Sequence, residues 1–548
     1  MKHDVSEPAS VTHGAAGPVI TLWAPLRRRV FRMLWITGLT ANVCSWMFEV
    51  AAAWAMATLP GTTPLLVALV QTAATGPVFL LALPSGALAD IVDRRRYLIV
   101  SQSWVAVVSL GVGALSLTGM LTPGLIFTAA FLMGTGLVMR LPTFASLIQE
   151  VVPRGEIPAA VMLNGVALNS SRTLGPLIAG AIVAFGGTPY VFLLNGALSI
   201  AAVLMLLHWQ REAPAPSNLP SERFFGAIRV GIQFARNTPE LLAVLARGAT
   251  CAFFATAPLA LLPVVVRTEL QAGATTYSLL VASFGVGALI LAVTVGRIRR
   301  RLSRGQLVTA AWILSAVATA VVAVAPNAYL VGVAMLSAGC AWMAIFGAFQ
   351  VAAQMALPRW IGGRGLAMVL MALWIGLALG GVLWGQLATM TSVSTSLLAA
   401  SVTSIFGMFA TSRLRLDGRS DDDLTPSPYR RDLALAVPIE PAQGPVVVTV
   451  EYQIEPTRAA EFLKLMQESR RMRLRNGAVS WSIFRDVTHA GRYVEQFVDE
   501  TWLSHLRHRE RVTAAERTIR DRKLAFHVGD APPEVKCLVG ANVPLEPG

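Results

Sequence analysis

The sequence predicts an all-α membrane protein of twelve transmembrane helices in two six-helix repeats, followed by a small cytoplasmic α+β ferredoxin-like domain. Three observations carry that reading. Apolar stretches succeed one another from about residue 30 to 412 with short breaks. Basic residues gather in every second connection between those stretches. A shift of 205 residues, which lays Arg94-Arg95-Arg96 on Arg299-Arg300-Arg301, superimposes the second six stretches on the first.

The composition agrees. Of 548 residues 54% are hydrophobic and 14% charged, against about 25% charged in an average soluble domain. That excludes an ordinary soluble enzyme and, by its apolar content, a disordered chain. The net charge is +14, carried mostly by arginine, with lysine confined to Lys2, Lys464, Lys523 and Lys536. Cys44, Cys251, Cys340 and Cys537 are widely spaced, which argues against a disulfide framework and against a zinc site. No metal or cofactor is expected.

A spanning helix needs about 20 mostly apolar residues. Twelve spans follow, at 30–58, 64–89, 97–118, 122–151, 158–185, 188–208, 240–266, 274–297, 306–325, 328–356, 363–389 and 392–411. The first could be taken for a signal peptide behind Arg27-Arg28-Arg29, but its apolar stretch exceeds the roughly 7–15 residues of such a segment. Arg94 to Arg96, Arg154, Arg211 to Arg236, Arg299 to Arg301 and Arg359 to Arg364 fall in one set of connections. Arginine-rich connections stay on the cytoplasmic side, so both termini are expected in the cytoplasm of a plasma (inner) membrane protein. Nucleic acid is not needed to explain the charge. The chain then divides into a cytoplasmic tail at 1–29, bundles at 30–211 and 240–412, a basic amphipathic segment at 212–239 expected on the inner membrane face, a linker at 413–444 and a cytoplasmic domain with its tail at 445–548.

The repeat also lays Gln149 on Gln354, Pro153-Arg154 on Pro358-Arg359, Gly175 on Gly380 and Gly180 on Gly385. Two parallel bundles related by an axis along the membrane normal commonly enclose a midplane site and rock about it. The expected partners are therefore a small-molecule substrate and the lipid bilayer.

Ionisable residues inside the membrane are functional candidates. Asn42, Ser45 and Glu49 recur on one face of the first span, which should meet the bundle interior. Removing a carboxylate from water favours its neutral form, so Glu49 is the candidate for proton coupling, with protons as a second partner. Arg140 and Arg172 are candidates for its ion-pair partner or for holding an anionic substrate; a structural ion pair is the alternative. Asn169 joins the cavity-lining candidates. Gln71, Asn195, Trp46, Trp342, Trp374 and Trp384 are read as helix packing or cavity lining.

Gly86-Ala87-Leu88-Ala89-Asp90-Ile91-Val92-Asp93-Arg94-Arg95-Arg96 resembles the loop motif of the major facilitator superfamily, a Gly and an Asp ahead of a basic cluster. Ile91 stands where that family has a basic residue, and Asp93 where it has Gly. The resemblance implies gating by Gly86, Asp90, Asp93, Arg94, Arg95 and Arg96. The second copy, Gly296-Arg297-Ile298-Arg299-Arg300-Arg301, lacks the acid. Gly175-Pro176-Leu177-Ile178-Ala179-Gly180 resembles the Gly-Pro motif of antiporter-type members, with Ser171 in place of Gly. Proline removes a helix donor, and glycines let a second helix approach. The run from Val152-Pro153-Arg154 through Ala160, Leu163-Asn164, Asn169 and Arg172 to Gly175-Pro176 is similar to the enterobactin-exporter-like branch. The resemblance covers roughly residues 25–412 and implies proton-driven export of siderophores, macrolides or other drugs.

Beyond Pro441 the pattern changes. Val446–Tyr452, Val479–Val487, Arg492–Asp499 and Glu534–Val539 read as strands, and Thr457–Arg475 and a segment from about 501 as helices. This β-α-β-β-α-β order is that of a ferredoxin-like sheet. It resembles antibiotic-biosynthesis-monooxygenase-like domains, which implies a homodimer through this domain. His505 and His508 share a helix face without a metal-type spacing and are read as solvated or dimer-contact residues. Two rival functions follow: a membrane-tethered monooxygenase, and a sensor of substrate. A pump driven by ATP is not supported, since no Gly-x-x-x-x-Gly-Lys-Ser/Thr phosphate loop is present.

Overall fold

The computed structural model describes residues 23–153, 156–209, 224–358, 361–414, 438–529 and 531–541. The first bundle consists of α1 (Arg29–Thr58), α2 (Pro64–Ile91), α3 (Arg94–Leu117), α4 (Pro123–Val151), α5 (Ile157–Gly186) and α6 (Thr188–His208). After α7 (Phe224–Arg236) come α8 (Pro239–Val264), α9 (Ala274–Ile298), α10 (Arg304–Val324), α11 (Ala328–Ala356), α12 (Gly362–Met390) and α13 (Val393–Ser412). Local signals set the ends. Thr63 and Thr122 accept from the amides of Leu66 and Leu125, each followed by proline at the first helical position. Ser303 and Gln306 form a reciprocal capping box.

Among the described residues, ten helices are long and apolar enough to cross a membrane. The two long bundle helices outside that set are α1 and α5. They carry the polar residues Asn42, Ser45 and Glu49, and Asn164, Asn169 and Arg172 respectively, which lower their apolarity.

The repeat is visible in the packing. In the first bundle α1 lies against α5 and α6, α2 against α4, and α3 against α4 and α6. In the second, α8 lies against α12 and α13, α9 against α11, and α10 against α11 and α13. The bundles meet through α5 on α9 and, equivalently, α12 on α2. The repeat-related glycines face these seams. A Cβ on Gly180 would lie 2.3 Å from that of Ser278, and one on Gly385 would lie 2.8 Å from that of Ala68.

The apolar core is asymmetric along the helices. Toward the short connections at 59–63, 270–273 and 391–392, one core draws on both bundles, with Phe48, Trp54, Val67, Leu261, Tyr277, Trp384 and Ala388 in a single cluster. Toward the arginine-rich connections the cores are separate. Phe31, Leu34, Leu98, Leu147 and Leu163 belong to the first bundle, and Leu241, Leu307, Phe349 and Leu373 to the second. The bundles are joined at one end and carry independent cores at the other.

The C-terminal domain comprises β1 (Val446–Gln453), α14 (Ala459–Arg475), β2 (Ser480–Arg485), β3 (Arg492–Asp499), α15 (Trp502–Glu510), α16 (Ala514–Leu524) and β4 (Glu534–Val539). All pairings are antiparallel, in the order β2-β3-β1-β4. The single helix expected from about 501 is two, because Thr513 opens a second capping box with Glu516. Helix α7 packs against α8, α12 and α14, and Arg229 pairs with Glu500. It thus lies between the second bundle and the C-terminal domain. Residues 210–223 and 415–437 of the expected connecting segments lie outside the described residues.

Candidate functional site

The three polar residues on this face of α1 have different partners. Arg140 on α4 donates from Nη2 to Asn42 Oδ1 at 2.8 Å. Ser45 Oγ donates to the Ala41 carbonyl at 2.9 Å and so turns back on its own helix. Glu49 lies in the field of Arg172 on α5, and its own charge acts on Tyr277 on α9. Of the two arginines proposed as its partner, Arg172 is therefore the neighbour of Glu49, and Arg140 serves Asn42. Asn169 is bonded to the Gly165 carbonyl at 2.8 Å, within its own helix.

Glycine makes this arrangement possible. A Cβ on Gly175 would stand 2.4 Å from Trp46 Cβ, so α5 crosses α1 closely at this point. One turn earlier Arg172 places its guanidinium 5.4 Å from the centre of the Trp46 ring, a cation–π contact. Pro176 lies inside α5, and Gly180 carries the seam to Ser278. The carbonyl of Arg172 in turn lies 2.8 Å from the Cβ position of Gly285. Trp54 stacks on Tyr277 at 5.7 Å, bringing α1 and α9 together one turn and a half beyond Glu49. Glu49 thus stands where α1, α5 and α9 converge. Tyr277 was missed in the sequence; a tyrosine inside an apolar span, one of only seven in the chain, was the available signal.

The basic cluster does not form a loop. Helix α2 runs to Ile91 and α3 starts at Arg94, leaving Val92-Asp93 as the connection. Asp93 caps α3 by accepting from the Arg96 amide at 2.9 Å. Arg95 reaches α6, donating to the carbonyls of Leu206 at 2.9 Å and Leu207 at 2.6 Å, and complements the negative end of that helix. The side chains of Gly86 and Asp90 lie outside the described residues.

In the C-terminal domain, Glu495 is 0% exposed. It accepts from Ser469 Oγ at 2.7 Å, Trp481 Nε1 at 3.0 Å, Tyr452 OH at 3.1 Å and Lys523 Nζ at 3.0 Å. Burial pushes its carboxyl up, but Lys523 and Arg473 outweigh this and hold it well below the usual range. Burial lowers the buried Lys523 ammonium to about 8 against the pull of Glu495. Asp499 accepts from His505 Nδ1 at 2.8 Å and His508 Nδ1 at 2.9 Å. Both histidines are buried, which corrects their reading as solvated or dimer-contact residues: the acid under their helix pulls both rings inward. Against the burial penalty, His508 and His505 hold the Asp499 carboxyl down. Burial lowers His508, whereas His505 is raised, because its bonds to Asp499 and Cys537 outweigh burial. Lys523, one of four lysines, and Asp499 were not singled out by the sequence.

Comparison with known proteins agrees with this architecture. The profile of a family described as "Transmembrane secretion effector" matches residues 20–544, through the C-terminal domain. The "Uncharacterized MFS-type transporter YfiS" of Bacillus subtilis (strain 168) is 25% identical over 348 residues, covering 61% of this chain and 81% of that one. Among solved structures, a bacterial homologue of the human lysosomal transporter Spinster, described as inward-facing and occupied, shares 14% identity. It aligns over 71% of this chain and 96% of its own with a TM-score of 0.57. The nucleoside transporter NupG shares 14% identity over 70% of this chain and 99% of its own, with a TM-score of 0.55. These structures share the fold. On the family match across almost the whole chain, this protein belongs to the transmembrane secretion effector family and is a multi-pass membrane transporter of the major facilitator type.

Proposed function

We propose that the chain is a proton-coupled secondary transporter that exports a siderophore, drug or other lipophilic metabolite by alternating access. The observation that carries this is the position of Glu49, an acid on α1 between the crossing of α5 at Gly175 and Trp46 and the contact of α9 at Trp54 and Tyr277. An acid at a junction between bundles can exchange its proton as the bundles rock, so that proton and substrate movements are linked. In this reading α1 and α5 complete twelve spans, and Asp90 and Arg94 act in gating. Gly175, Pro176 and Gly180 form the packing seam of an antiporter, and the family branch is enterobactin-exporter-like. The arginine distribution favours an inner-membrane orientation with both termini cytoplasmic; the ends with separate cores then face the cytoplasm.

The experiment has two stages. Cells with and without the protein are profiled for accumulation of siderophores and lipophilic drugs side by side, and a compound that responds is followed in proteoliposomes. Glu49→Gln is expected to abolish its pH-driven movement with expression intact; wild-type drive in the variant would reject the coupling role.

For the C-terminal domain, a ferredoxin-like regulatory or dimerising module is supported by the strand order and by the packing of α14 on α7. Deleting 445–540 should alter transport; unchanged transport rejects the regulatory role. The monooxygenase-like alternative predicts steady oxygen uptake by the full chain with a quinol substrate, lost on the same deletion.

A further inference from the structure

Arg140 is 5% exposed and lies mid-helix on α4. Its place in the fold is specific. On α4 it falls between Met133, in the core shared by both bundles, and Leu147, in the first bundle's own core. On α1 its partner Asn42 falls between Leu34 and Val43, which mark the same boundary. Arg140 and Asn42 therefore sit where the shared core ends and the separate cores begin.

Among the described residues the buried arginines of the bundles differ in their partners. Arg172 has Glu49 and the Trp46 ring. Arg247, on α8, donates to the Leu414 carbonyl at 3.1 Å, beyond the end of α13. Arg140 is held by the neutral amide oxygen of Asn42. Among the described residues it has no carboxylate within ion-pair distance. A guanidinium withdrawn from water calls for an opposite charge, and its planar fork matches a carboxylate or phosphate edge. Asn42 fixes the fork through Nη2 alone. Near the pair in sequence, Val138 on α4 and Val43 on α1 are buried and apolar.

We propose that Arg140, oriented by Asn42, binds the oxyanion of the transported molecule, so that the cargo is an organic anion: a carboxylate or phosphate on an apolar body. This rests on the transporter reading and narrows its substrate class. Glu49 and Arg172 then serve the proton, and Arg140 serves the cargo.

The test is equilibrium binding to the purified full chain in lipid nanodiscs, using 2-naphthoate, 2-naphthyl phosphate and the neutral methyl 2-naphthoate. At least one anion is expected to bind about tenfold or more tighter than the ester, the scale of one charge-assisted contact. Which anion binds separates the carboxylate from the phosphate source. Arg140→Gln should remove the preference and Arg140→Lys should retain part of it, both eluting as monodisperse protein. Equal binding of the ester, a preference that survives in Arg140→Gln, or no binding of either anion by the wild type overturns the proposal. Because this readout is binding at equilibrium, it can fail while proton-driven movement through Glu49 stands, and the reverse.

Discussion

Two regions of this molecule bury charge, and they do so differently. In the C-terminal domain Glu495 is closed in by Ser469, Trp481, Tyr452 and Lys523, each within 3.1 Å. In the membrane bundle Arg140 has a neutral amide as its partner, and Glu49 feels Arg172 without a direct hydrogen bond to it among the described residues. A completed network rigidifies a core. An incomplete one leaves bonding capacity for a proton or a ligand. The comparison teaches that two equally buried charges can differ in how many polar partners the fold supplies.

The sharpest way to break the comparison is to open the completed network. Glu495→Gln leaves Lys523 buried without its carboxylate and should destabilise the C-terminal domain by about 3–5 kcal/mol, read as earlier proteolysis and faster amide exchange of that domain in the full chain. Glu495→Leu combined with Lys523→Met should recover much of this loss, since an apolar pair of similar volume replaces a buried ion pair well. A single variant as stable as wild type would mean the network is not structural.

Acid tests the same contrast. Asp499 and Glu495 are held below their ordinary values. Their contribution is therefore present above the unfolded values, about 3.9 and 4.3, and is lost as pH falls through the folded ones. His508, lowered by burial, adds a loss that begins as pH drops below about 6.5. His505, which is raised, works the other way, its contribution being full below about 6.5 and lost as pH rises. The melting temperature of the C-terminal domain should fall steeply on the acid side of about pH 5; a flat profile there would contradict the network.

The seam between the bundles gives a smaller effect. Gly180→Val places side-chain atoms against Ser278 and should cost about 1–3 kcal/mol of overpacking in the joined state alone. The expected outcome is normal membrane insertion with reduced transport and a larger α5–α9 distance by spin-label measurement. Smallest of all is the surface pair Arg229–Glu500, with side chains 41% and 51% exposed. Arg229→Glu should weaken docking of the C-terminal domain on α7 by about 0–1 kcal/mol, with Glu500→Arg restoring it, seen as a change and recovery in proteolysis of the 413–444 connection.

Much of this was legible in the sequence. The helix ends agree with the expected spans to within about three residues, because caps such as Thr63-Pro64 and Ser303 with Gln306 are local signals. The four strands were legible too, as short β-prone runs between turn residues. The pairing of Arg172, rather than Arg140, with the neighbourhood of Glu49 was not, because helix periodicity gives the face of α1 but not which helix lies opposite. Nor was Arg95 as the cap of α6, since its acceptors are carbonyls more than a hundred residues away.

By itself, then, the sequence determined that the chain enters a membrane, where its helices begin and end, and that its halves repeat, because hydrophobicity, capping and charge placement act over a few residues at a time. The fold adds that α5 meets α9 and α12 meets α2, that the cores merge at one end and separate at the other, and that among the described residues Arg140 has no carboxylate within ion-pair distance. Those outcomes depend on close approach between residues distant in the chain, which glycines such as Gly175 and Gly180 permit but do not specify.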